Sequence, residues 1–249
     1  MAGSKTRFPL AEFKVGVDNV IFSVDTAQNR LLVLLVMRDA EPYRDYWCLP
    51  GTLVRQGESP EDAAYRILAE KIRVKNLYLE QLYTFGEVED SRDPRQDPGD
   101  PGKEHRLQWA RYLSISYFAL VRFSEAELIA NGVSGIAWYS LQQVPQLAFS
   151  QNRILEYGHR RLCNKLEYSP VAFDVLPELF TLNDLYQFYA TVLGENFSDY
   201  SNFRTRLLKL GFLNDTGEKV SRGAGRPASL YKFDAAAFSL HKDKPMVFI

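Results

Sequence analysis

Cysteine is nearly absent: the 249 residues hold two, Cys48 and Cys163. Two thiols so far apart make neither a disulfide framework nor a zinc site. The three histidines, His105, His159 and His241, are equally scattered, and all five residues read as surface or packing positions. No stretch approaches the roughly 20 apolar residues of a membrane span. The opening MAGSKTRFPL lacks the apolar core of a signal peptide. Both point to a cytoplasmic protein with no membrane partner. An excess of charge of one sign is missing too. The net charge is -1, so any basic surface must be local. What is present is ordinary globular material, 46% hydrophobic and 24% charged. A prior of ~100–200 residues per domain allows one or two domains.

The hydrophobic pattern places elements along the first half. VGVDNVIFSV (15–24) and LLVLLVM (31–37) read as hairpin strands around the turn DTAQNR. A helix opens at Ser59, with Pro60 in its first turn and Glu61 and Asp62 at its positive end. Ala64, Ile67, Leu68 and Ile72 share its apolar face. Residues 77–85, 112–122 and 137–141 read as strands, with a short helical turn from Ser124. Between the first two lies SRDPRQDPGDPGKEHR, whose three prolines and two glycines mark a loop.

From Ser150 the character changes. SQNRILEYGHRRLCNKL is amphipathic, with Ile154, Leu155, Leu162 and Leu166 against Arg153, Arg160, Arg161 and Lys165. Beyond it come a short helix near Pro170, a helix capped by Thr181 and ended by Gly194, and a third capped near Ser198 and ended by Gly211. The polar DTGEKVSRGAGRPA and the strand SLYKF follow. Three helices and a two-stranded hairpin outline a winged helix-turn-helix. The expected organisation is a first domain over 1–148, a linker helix over 149–166 and a winged-helix DNA-binding domain over 167–249.

Charge supports that division. From Arg204 to Lys232 there are seven basic and two acidic residues. Lys and Arg contacts to phosphate supply most non-specific DNA affinity. Recognition helices read bases with their N-terminal residues. Candidate DNA contacts are therefore Tyr200, Ser201, Asn202, Arg204, Thr205 and Arg206, with Arg222 and Arg226 on the wing.

The segment PGTLVRQGESPEDAAYRILAEKIRV resembles the Nudix box, and Trp47 with Leu49, Pro50 and Gly51 matches the usual approach to it. Glu58 and Arg66 set the register. The resemblance implies an α/β/α sandwich on a mixed sheet. It also implies three carboxylates on the helix that bind divalent metal, and here the pattern departs. Ile67 replaces the Glu after the Arg, the Glu-Glu pair is Glu70 and Lys71, Thr52 takes the first glycine position, and Arg73 takes the late one. Hard cations need oxygen ligands. Two like charges ~4 Å apart repel by about 4 kcal/mol at an effective dielectric of 20, roughly three powers of ten in affinity. The expectation is no catalytic residue, no metal and no cofactor. Glu87 or Glu89 is the alternative source of a metal ligand. The cleft remains suited to a nucleoside-diphosphate-like ligand, with Trp47, Glu58, Arg66, Glu70, Lys71, Arg92 and Arg95 as candidate contacts. Tyr46, like Trp47, is a candidate for stacking or core packing.

With the RDP at Arg92–Pro94, the NFR at Asn202–Arg204 and GRPASLYKF ending at Phe233, the chain resembles the Nudix-related transcriptional regulators of NAD metabolism, the NrtR family, over about residues 13–234. The resemblance implies a homodimeric repressor of NAD synthesis or salvage genes, bound to a palindromic double-stranded operator and released by ADP-ribose. Related regulators of this architecture sense sugars such as arabinose, and an active ADP-ribose hydrolase is a further alternative. The linker helix is the expected place for coupling between the two halves.

Overall fold

A computed structural model describes residues 13–72, 77–86, 111–130, 134–194, 197, 199–221 and 226–240. Strand β1 (Phe13–Asp25) is the axis of the first half. It runs parallel to β6 (Arg111–Val121) from Phe13↔Arg111 to Ser23↔Val121. Its other edge is shared, antiparallel, by β4 (Gly51–Leu53) near the start and β2 (Arg30–Met37) near the end. With β3 (Trp47–Cys48), β5 (Glu80–Phe85) and β7 (Ile136–Ser140) this makes a mixed seven-stranded sheet, its main path β3-β2-β1-β6-β5.

Side chains alternate between the faces of a strand, and the two faces bury different helices. Val17, Ile21, Leu34, Tyr117 and Ala119 meet α1 (Pro60–Ile67) and α2 (Phe123–Ala130). Val20, Phe22, Val24, Leu31, Val33 and Leu35 meet α3 (Gln151–Tyr168). The result is the expected α/β/α sandwich. Helix α3 approaches β1 closely at Gly158, where a Cβ would stand 3.1 Å from Val20 Cγ1.

The second half holds α4 (Val171–Val175), α5 (Leu182–Leu193), α6 (Tyr200–Lys209), the hairpin β8 (Leu213–Val220) and β9 (Ala228–Phe233), and α7 (Ala235–Ser239). Thr181 and Asp184 form a reciprocal capping box on α5. Its stripe of Leu185, Phe188, Tyr189 and Val192 is buried, in the same continuous core as the α3 face of the sheet. The winged-helix half is therefore packed onto the sheet rather than tethered to it. Arg122 Nε donates to Asp174 O (3.2 Å), a further tie between the halves.

Four local features differ from the sequence expectation. The box helix turns π-helical over Leu68–Ile72. Asp199, not Ser198, caps α6; its carboxylate accepts from Ser201 N and Asn202 N, and Ser198 lies outside the described residues. Much of the polar DTGEKV run is strand, with a bulge between Asp215 and Lys219. Helix α7, unforeseen, seats Phe238 on Phe212 at 5.3 Å between centroids. No described helix is long and apolar enough to cross a membrane. Burial pushes the Cys48 thiol up to about 12, in keeping with a packing role.

Candidate functional site

The box begins at the turn from β4. Ser59 Oγ accepts from Asp62 N at 3.0 Å and fixes the start of α1. That places Glu58 just outside the helix, with Arg66 two turns along it. Arg66 closes a fork on Glu58, Nε to Oε1 at 2.6 Å and Nη2 to Oε2 at 2.9 Å. Arg66 Nη2 also donates to Leu53 O at 3.0 Å, and Arg55 N to Glu58 Oε2 at 2.8 Å. Glu70, half exposed, lies 3.6 Å from both Arg55 Nη2 and Arg66 Nη1. Lys71 Nζ stands 3.5 Å from Asp39 Oδ2. Ile67 is only 5% exposed and belongs to the core, not to an open face. Among the described residues no three His, Cys, Asp or Glu side chains group as a metal site would require.

The structure thus brings Glu58, Arg66 and Glu70 together, with Lys71 one residue on. It does not bring Trp47 to them: Trp47 packs on Tyr139, 5.1 Å between centroids, in the core on the α3 face. Tyr46 packs on Tyr43 at 5.3 Å. Arg92 and Arg95 lie outside the described residues, as do Arg73, Glu87, Glu89 and the rest of the 87–110 segment.

Donation by the Arg66 guanidinium and by Arg55 N holds the Glu58 carboxyl down at about 2. A carboxylate depressed below its ordinary 4.5 stabilises the fold above pH 4.5, and that contribution is lost as pH falls to about 2. Glu58→Gln should flatten this part of the acid-unfolding curve followed by circular dichroism. An unchanged acid limb would mean that the fork does not stabilise the fold.

In the second half, Phe203 and Leu207 are buried and hold α6 on α5, Tyr189 to Phe203 at 5.7 Å. The intervening residues are forced outward: Ser201, Asn202, Arg204, Thr205 and Arg206 are all exposed. Tyr200 is 38% exposed and rests edge-on against Tyr186. Thr205 Oγ1 donates back to Ser201 O at 2.8 Å, and the Asn202 amide donates to Asp199. Arg226 is exposed two residues before the return strand β9; Arg222 lies outside the described residues. Lys232 is taken by Glu178 at 2.6 Å. An exposed polar and basic helix N-terminus beside a β-hairpin is the geometry of a major-groove reader with a wing.

Sequence reasoning passed over Asp18, Asn19 and Gln151. Asn19 and Gln151 are buried polar side chains, and Asp18 carries a buried carboxyl between two donors, Ser114 and Gln151. Burial outweighs these donors and raises the pKa of Asp18. A polar pair inside an apolar strand, VGVDNVIFSV, was the available signal.

Two family models match the chain: the NUDIX domain over residues 13–157, and the AraR C-terminal winged HTH domain over residues 168–249. The chain is 34% identical over 221 residues to the ADPR responsive transcriptional repressor NtrR of Acinetobacter baylyi, covering 87% of this chain and 80% of the relative. The crystal structure of Shewanella oneidensis NrtR complexed with a 27mer DNA is similar at a TM-score of 0.68 and 32% identity, covering 90% of this chain and 95% of that one. A second crystal structure of Shewanella oneidensis NrtR gives the same TM-score at 31% identity, covering 91% and 96%. With sensor fold and DNA-binding fold joined in one relative along nearly the whole length, the chain belongs to the NrtR family of Nudix-domain transcriptional regulators.

Proposed function

We propose that the chain is a transcriptional repressor of NAD synthesis or salvage genes, released from its operator by ADP-ribose or a related NAD-derived phosphate. It acts in the cytoplasm as a homodimer on a palindromic site, with sensing over 1–148, the linker helix over 149–166 and DNA binding over 167–249. The observation that carries this is the relative spanning both halves, an ADPR responsive transcriptional repressor. Support at the DNA end comes from the exposed Ser201, Asn202, Arg204, Thr205 and Arg206 on α6, with Tyr200 beside them and Arg226 exposed just before β9; Arg222 is proposed as a further DNA contact.

We read the box as a binding site without hydrolysis. Metal-dependent members hold a dication on helix carboxylates, and these residues do not fit one. Ile67 is apolar and buried, Lys71 is a cation, and Glu58 and Glu70 already face Arg66 and Arg55. Glu58, Arg66, Glu70 and Lys71 remain the candidate phosphate-side contacts, together with Arg92 and Arg95. Trp47 packs on Tyr139 on the α3 side of the sheet, away from these residues.

A sugar effector is the second reading, since related regulators of this architecture sense sugars; the DNA-binding half matches the AraR C-terminal winged HTH domain. That match covers only the DNA-binding half, whereas the sensing half matches the NUDIX domain. Calorimetric titration with ADP-ribose and with arabinose, in magnesium, separates the readings. ADP-ribose should bind, arabinose should not, and no AMP or ribose 5-phosphate should accumulate. Binding of arabinose alone contradicts the effector assignment; steady release of AMP contradicts the non-catalytic box.

A further inference from the structure

Asp18 and Asn19 are neighbours in β1, so they point to opposite faces of the sheet. Asn19 is fully buried on the box side. Its Nδ2 donates to Ala64 O in α1 and to Pro50 O, each at 3.3 Å, and its backbone N–H reaches Pro50 O at 2.9 Å. Asp18 faces α3 and accepts from Gln151 Nε2 at 2.6 Å and from Ser114 Oγ. Gln151, the first residue of α3, is 7% exposed, and its Oε1 accepts from Leu49 N at 2.9 Å. The Leu49–Gly51 turn is therefore gripped from both sides: Pro50 by Asn19, Leu49 by Gln151. A Cβ at Gly51 would stand 2.3 Å from Asp18 Oδ1, so the turn lies directly on the carboxylate.

The far end of this connection is the DNA-binding half. Helix α3 carries Leu162 and Leu166 into the shared core, His159 Nε2 against Val192 O of α5 at 3.2 Å, and Leu166 O beside Tyr189 Oη at 3.4 Å. Tyr189 in turn packs on Phe203 of α6. One node thus joins the box helix, the turn before it and the helix that supports the reader.

The node is saturated except at one atom. Asn19 Oδ1 is buried without a partner. A buried acceptor left unmade is a destabilising element.

Resting on the effector reading above, we propose that Asp18, Asn19 and Gln151 are positioning residues. Through the Leu49–Gly51 turn they transmit ligand binding at the box helix to α3 and the DNA-binding half. Ligand and operator then share one coupling constant, felt equally from either site.

The test compares wild type, Asp18→Asn, Gln151→Glu and the double exchange in the full-length chain. Asp18→Asn sets two amides face to face, and Gln151→Glu sets two carboxylates face to face. The double exchange restores one donor and one acceptor with the direction reversed, and keeps the acceptor for Leu49 N. The readout is the ratio of operator dissociation constants with and without saturating ADP-ribose, beside the ADP-ribose affinity of the free protein. Each single variant should lower the ratio by about fivefold or more, a loss on the scale of typical allosteric coupling. ADP-ribose affinity should stay unchanged within about twofold, and the double variant should recover the ratio. Single variants that melt earlier but keep the wild-type ratio overturn the inference and leave the effector reading standing. A wild-type ratio of one overturns both. Where a single variant does not fold, Ser114→Ala, which removes one donor from Asp18, takes its place; it should lower the ratio, and an unaltered ratio counts against the node.

Discussion

Phe188→Ala is expected to destabilise the chain by about 3–5 kcal/mol, and to carry the sensing half down with it. Phe188 is 2% exposed on α5. It belongs to a core that runs without a break from Val20, Phe22 and Leu35 on the sheet, through Leu162 and Leu166 on α3, to Leu185 and Phe203. All three tryptophans, Trp47, Trp109 and Trp138, precede α3 in the sequence. Trp47 and Trp138 lie on strands of the sheet, so fluorescence follows unfolding of the first half. In a shared core, truncating Phe188 lowers the urea midpoint of that fluorescence. In two independent domains it does not. A wild-type fluorescence midpoint, with loss of helix signal at lower urea, would show that the halves unfold separately.

Arg204→Ala and Arg226→Ala are expected to weaken operator binding with little change in stability, because both side chains are exposed. Arg204 sits one turn into α6, where a recognition helix meets base edges. Losing a base contact costs about 1–3 kcal/mol and relaxes specificity at one position. That is roughly five- to 150-fold in affinity. Arg226 flanks the wing; loss of a phosphate contact there lowers the salt slope by about one. Fluorescence anisotropy across a salt series distinguishes the two. If neither variant changes affinity or slope, the α6 face does not touch DNA. Asp199 adds a complication of known direction. Its carboxylate caps α6 and also engages the Asn202 amide, so Asn202 must exchange that partner to meet a base.

What could be read from the sequence was local. Short runs rich in Val, Ile and Leu, VGVDNVIFSV and LLVLLVM, marked the sheet's centre, and Ser59, Thr181 and Gly194 marked helix ends because capping is short-range chemistry. The apolar stripe of α3 emerged as read, since its partners lie on one face. The failures were contextual. The run DTGEKV is polar on both sides, and only pairing with β9 makes it a strand. Helix α7 has five residues, too few for a period to show. Ile67 satisfied two patterns at once, the apolar stripe and the lost carboxylate position, and packing decided for the stripe. At the site, Glu58 and Arg66 were legible as a pair by spacing, but the neutralising fork between them was not. The Asp18–Asn19–Gln151 node joins residues more than a hundred positions apart in sequence, beyond any window of periodicity.

The central claim is that one small molecule, bound in the sensing half, controls DNA binding by the other. The direct measurement is a gel-shift titration on duplex DNA from the region upstream of the chain's own gene, with and without ADP-ribose, in magnesium, followed by nucleotide analysis of the same samples. Retarded DNA that is released as ADP-ribose rises, with the ADP-ribose recovered intact, is the predicted result. Consumption of ADP-ribose without any retarded DNA would contradict it and make the chain a hydrolase.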